Sequence, residues 1–147
     1  MIRNFYAALK AALPAIPFYL GADALGERAA PPRLVLVPTD EGFAPASAIT
    51  APQVPASVAT RLAGLQLWLW GEGYEEVEGM LAEVITALRR TFGPGVVELE
   101  RGRWEEGGVI SRGVAYVLDL RTRMPVVEAR TYVTLEAIAQ RCGGLGG

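Results

Sequence analysis

The chain has 147 residues, a length that fits one domain around one core. Its formal net charge is -2 and 51% of it is apolar, without a basic stripe to grip a phosphate backbone and without the roughly 18 uncharged apolar residues that a membrane-spanning helix requires. Histidine is absent and Cys142 is the single cysteine, which removes Ser-His-Asp and Cys-His catalysis, intrachain disulfides and Cys/His metal sites, and favours a reducing compartment.

At the N-terminus Ile2, Phe5, Tyr6, Leu9, Ala12 and Leu13 recur at helical spacing, which predicts an amphipathic docking helix from Ile2 to Leu13 rather than a signal peptide. Pro14 stops it, because its ring and missing N–H end helical propagation. Residues 16–20, IPFYL, read as a short extended segment. From Gly21 to Arg61 the chain changes character: Pro31, Pro32, Pro38, Pro45, Pro52 and Pro55 surround one convincing strand, Arg33 to Val37. Such a long excursion reads either as a docking arm or as a dispensable loop.

From Arg61 the alternation sharpens. Leu65, Leu67 and Leu69 share one strand face, and Gln66, Trp68 and Trp70 share the other. Both faces are largely apolar, so the tryptophans are either core packing or candidates for a contact with another chain. Gly71 and Gly73 lead into the most secure element, a helix whose Val77, Met80, Leu81, Val84, Ile85 and Leu88 form one apolar stripe. Glu72, Glu75, Glu76 and Glu78 crowd its start and Arg89 and Arg90 its end, the polarity that the helix dipole favours. Gly93-Pro94-Gly95 stops the helix.

A β-hairpin follows, with arms Val96–Trp104 and about Ser111–Met124 around Glu105-Glu106-Gly107-Gly108. In its second arm Val114, Tyr116, Leu118 and Leu120 share a face, while Ala115, Val117, Asp119, Arg121 and Arg123 share the other. Pro125 is expected to end this strand or to confine it to an edge. Glu128 to Ala139 reads as a final strand or, from Leu135, as a short helix, and residues 143–147 as a flexible tail.

The glycine turn fails as a dinucleotide fingerprint, because Glu76 stands at the third glycine position and its acidic neighbours repel phosphate. No Gly-Lys-Ser/Thr follows to make a phosphate loop. The joint is therefore read as scaffold, with the glutamates meeting the exposed N–H groups. Glu72, Glu75, Glu76, Glu78 and Glu83 lack the spacing of a calcium loop. Asp119 with Arg121 could serve a small enzyme as acid group and anion clamp, but exposed pairing or salt bridges to another subunit explain the pattern without chemistry. No catalytic residue, cofactor or metal is expected.

The order of parts is informative: RLVLVPT, LQLWLWG, an amphipathic helix with ALRR near its end, then GRWEEGGVISRGVAYVLDLRTRMPV. This resembles the tail terminator, or tail completion, proteins of long-tailed bacteriophages, most closely from Leu65 to Val126. The resemblance implies a virion protein that forms a six-membered ring on the tail tube, stops tube polymerisation and presents a surface to head-completion or neck proteins, with DNA passing through. A head-completion or connector protein of the same virion is the alternative, and a small enzyme the more distant one. The expected fold is α+β, a single domain whose mainly antiparallel sheet carries the N-terminal and the central helix on one face. Trp68, Trp70, Arg112, Asp119, Arg121 and Arg123 are the candidate interface residues. The excursion and the hairpin tip near Glu105 are candidates for reaching a neighbour or the tube.

Overall fold

A computed structural model describes residues 2–45 and 57–127. These fall into two compact units, one of residues 2–42 and 62–123 and the other of residues 43–45, 57–61 and 124–127. The fold is α+β, with two helices and a five-stranded, mostly antiparallel sheet among the described residues, as the periodicities predict. In chain order the elements are α1 (Ile2–Ala12), β1 (Phe18–Leu20), a 3-10 turn (Ala22–Leu25), β2 (Arg33–Pro45), β3 (Ser57–Gly71), α2 (Tyr74–Thr91), β4 (Val97–Glu106) and β5 (Val114–Val127). The strands lie in the order β1-β2-β3-β5-β4. No helix among the described residues is long and apolar enough to cross a membrane. The segment from Glu128 to Ala139, Cys142 and the glycine-rich tail lie outside the described residues.

In the first unit, both helices cover one face of the sheet. Phe5 and Leu9 of α1 and Val77, Met80, Val84 and Leu88 of α2 are buried against Leu34 and Leu36 of β2, Leu65, Leu67 and Leu69 of β3, and Val114, Leu118 and Leu120 of β5. Burying one such side chain is worth about 1.5–3 kcal/mol, so this layer is the main source of stability. Phe5 stacks on Phe92 at 4.8 Å, and the Tyr6 hydroxyl donates to the Phe18 carbonyl at 2.7 Å, which fastens α1 to β1. At the far end of α2, Arg89 donates to the Val97 carbonyl at 3.0 Å.

Two expectations drawn from proline are corrected. The strand expected to stop at Val37 runs through Pro38 to Pro45, and a second long strand begins at Ser57. The reason is positional: β1 pairs with β2 only as far as Leu20–Leu36, so Pro38 falls where β2 has lost that neighbour and the missing N–H costs no ladder bond to it. Likewise β5 passes Pro125 and reaches Val127, and it lies between β3 and β4 rather than at an edge. Its ladder with β4 ends at Val97–Thr122, before the proline is reached.

Candidate functional site

The sheet face opposite the helices divides into two halves in the first unit. One half is apolar and covered. Val35, Trp68, Trp70, Ala115 and Val117 are buried beneath Leu25 of the 3-10 turn and Ile110 of the β4–β5 loop. The Trp70 indole N–H donates to the Arg112 carbonyl at 2.7 Å, while that of Trp68 donates to the Gln66 side chain at 3.1 Å. Arg33 pins the cover from below: its guanidinium donates to the carbonyls of Ala30 (2.7 Å) and Ala24 (3.3 Å) and lies 4.4 Å from the centre of the Tyr19 ring. Of the two readings of the tryptophans, core packing is the one the structure bears out, and as interface candidates they are corrected. Trp70 is fully buried and Trp68 nearly so, because the apolar rings are worth more inside a second core than in water.

The cover closes through one tight joint. Gly113 has φ +74°, and a Cβ there would collide with the carbonyl of Gly71. That close approach brings the β4–β5 loop against the end of β3, where the Arg112 guanidinium reaches Glu72 at 3.2 Å. Arg112 thus belongs to the entrance of α2 and not to the charged cluster of Asp119, Arg121 and Arg123. At the same entrance the Glu76 carboxylate accepts the Glu72 N–H at 2.8 Å, the role expected of the glutamates there.

The other half of the face is charged. Asp119, Arg121 and Arg123 do come together, each with a partner on β4. Asp119 accepts from Arg101 at 3.0 Å and faces Arg103 at 3.8 Å; Arg121 pairs with Glu100 at 3.2 Å, Arg123 with Glu98 at 3.7 Å, and Arg103 with Glu105 at 3.1 Å. A β-bulge makes the set possible. The register passes from Leu99–Leu120 to Arg101–Asp119, leaving Glu100 as the extra residue. Glu100 and Arg101 consequently both serve the same face. Four arginines (101, 103, 121 and 123) meet four carboxylates (Glu98, Glu100, Glu105 and Asp119), so the half-face is neutral overall but alternates in sign. A shallow groove beside it is lined by Thr39, Asp40, Gln66 and Asp119.

Sequence reasoning missed an exposed aromatic strip on the helix side of the β4 edge. Trp104 stands edge-to-face with Tyr74 at 4.8 Å and with Tyr116 at 5.1 Å. Gly102 makes room for it, since a Cβ there would strike the Tyr116 ring. The Tyr74 hydroxyl is held above its ordinary pKa by a hydrogen bond to Glu106, then by desolvation and the Glu106 charge. One signal was available in the sequence: Val97 and Leu99 occupy odd positions and Trp104 an even one, a break in alternation that a bulge repairs.

No protein-family model matches the chain, and no curated protein matches it.

The charged half-face is built from side chains of β4 and β5. Its ion pairs are solvent-accessible, so each is worth little alone, roughly 0–1 kcal/mol.

Proposed function

We propose that the protein is a tail terminator: it caps the phage tail tube as a six-membered ring, halts polymerisation of the tube and forms the joining surface for head-completion or neck proteins. The observation that carries this reading is the arrangement of the resembling segments. The Trp-Gly strand, the helix, the Gly-Arg-Trp arm and the Gly-Val-Ala-Tyr strand form one body, in which β3, β5 and β4 lie side by side under α2.

A ring requires a heterologous interface, where two different patches of each subunit meet. The charge-alternating half-face supplies one patch of such a pair. Its ion pairs can be exchanged for ion pairs across a boundary without leaving any charge buried alone, which favours a definite register over raw affinity. A closed ring seated on the tube end would cover the surface to which the next tube subunit adds, and growth would stop.

The test is the native mass of the purified protein over a range of concentration and salt, with negative-stain images of the same fractions and of particles assembled without it. Six-subunit rings, together with overlong or headless tails in the depleted particles, are the expected result. A monomer that does not assemble on purified tail tubes, or depleted particles with free tails of normal length, would overturn the reading and favour a head-side role.

A further inference from the structure

We propose that the outer edge of β4, beside Trp104 and Tyr74, binds an extended segment of a partner protein that carries an arginine, which adds to the sheet as a further strand. The inference is independent of the tail reading. It rests on the edge, on the aromatic rings and on the charges around them.

Among the described residues β4 is the last strand of the sheet, and most of its residues from Glu98 to Glu106 are exposed. Edge strands that must stay unpaired carry proline, a bulge or charged side chains, lysine above all. Here the bulge lies at Glu100, near the start, and Arg101 to Glu106 pair regularly with β5 on the inner side. That stretch, RGRWEE, holds no proline or lysine, and its two arginines are engaged by Asp119 and Glu105 on the face opposite the helices. Among the described residues no strand pairs with its outward N–H and C=O groups, which form a template for an added strand.

The side chains specify what is added. Trp104 and Tyr74 keep 40% and 47% of their surface open, an unusual exposure for large rings in contact with each other. Glu106 lies against Tyr74, and Glu78 stands one helical turn on from it. Among the described residues no arginine or lysine pairs with either carboxylate, whereas the acids of the opposite half-face are paired. Open aromatic rings with uncompensated carboxylates complement a cation. A guanidinium suits the site better than an ammonium, because it is planar, stacks on aromatic rings and still presents N–H groups to a carboxylate. Alternate residues of the guest strand face the same side, so one arginine suffices to occupy the site.

The experiment uses the full chain and the probe peptides acetyl-TVTRTVT-amide and acetyl-TVTETVT-amide. Trp68 and Trp70 are buried, so a change in tryptophan emission reports Trp104. The arginine peptide is expected to shift that emission and to bind roughly tenfold more tightly than the glutamate peptide in calorimetry, a difference in keeping with a partly desolvated cation–π contact. Glu106→Gln and Trp104→Thr should each weaken the arginine peptide several-fold while leaving native mass and far-ultraviolet dichroism unchanged. N-methylation of alternate peptide residues should abolish binding in one phase of methylation and spare it in the other, the mark of strand addition. Absence of binding by the arginine peptide, equal binding of the two peptides, or indifference to both substitutions would overturn the proposal. So would a fall in native mass of Trp104→Thr without any peptide binding, which would assign this edge to a second copy of the chain.

Discussion

Tyr74 and Glu106 illustrate how one residue pair converts local geometry into a measurable property. The neutral phenol donates to the carboxylate, and ionising it would place two negative charges together. Its pKa in the folded protein therefore rises above the ordinary value of 10.0. By linkage, a folded-state pKa above the unfolded one contributes stability that is complete below the unfolded pKa and is lost as pH rises through the folded one. The contribution should thus be intact at neutral pH and vanish only in the alkaline range. An absorbance titration of the phenolates should show one late-titrating tyrosine, absent in Tyr74→Phe and shifted back towards the ordinary value in Glu106→Gln. An unchanged titration in Glu106→Gln would remove the hydrogen bond as its cause. Gly102 has a comparable local role: any side chain there would displace Tyr116, and with it the ring on which Trp104 leans.

At the level of elements, the β4–β5 pairing makes a sharper demand on charge than either strand alone. Arg121→Glu sets a carboxylate against Glu100 and opposite Glu98, and like charges across strands are unfavourable. The single change should cost about 0.2–1 kcal/mol, and adding Glu100→Arg should recover most of it. A urea-denaturation double-mutant cycle measures the coupling; additive effects would mean the pair is independent in solution. A plain reversal of Arg121 and Arg123 is for this reason a poor probe of assembly, since it also disturbs the chain's own ion pairs. β3 and α2 were legible in the sequence because periods of two and 3.6 are imposed by one buried face and need no knowledge of neighbours. The passage of β2 through Pro38 was not legible, because it depends on how short β1 is. Nor was the burial of Trp68 and Trp70, since Leu25 and Ile110 come from segments without periodicity. Asp119, Arg121 and Arg123 were correctly grouped by alternation, yet their partners on β4 required the register and its bulge.

For the whole molecule, a neutral but alternating surface has a distinct dependence on ionic strength. Salt screens exposed charges over about 8–10 Å near physiological ionic strength, so a ring held in register by the charged half-face should loosen as salt rises. Native mass should fall towards that of the subunit while the far-ultraviolet signal stays constant; assembly strengthened by salt would point to apolar contacts instead. The separation of this surface from the aromatic strip depends on the bulge at Glu100. Before it, odd-numbered residues of β4 face the helices; after it, even-numbered ones do. Glu100 thus acts as a one-letter frameshift in the strand. Deleting it should leave Arg101, Arg103 and Trp104 in their present places, at the loss of one exposed ion pair. Deleting Gly102 instead should exchange the faces of the residues beyond it, and the near-ultraviolet dichroism of Trp104 and Tyr74 should distinguish the two. In a lineage of such chains, Glu100 is where the length of β4 is free to change by one without rewriting either surface.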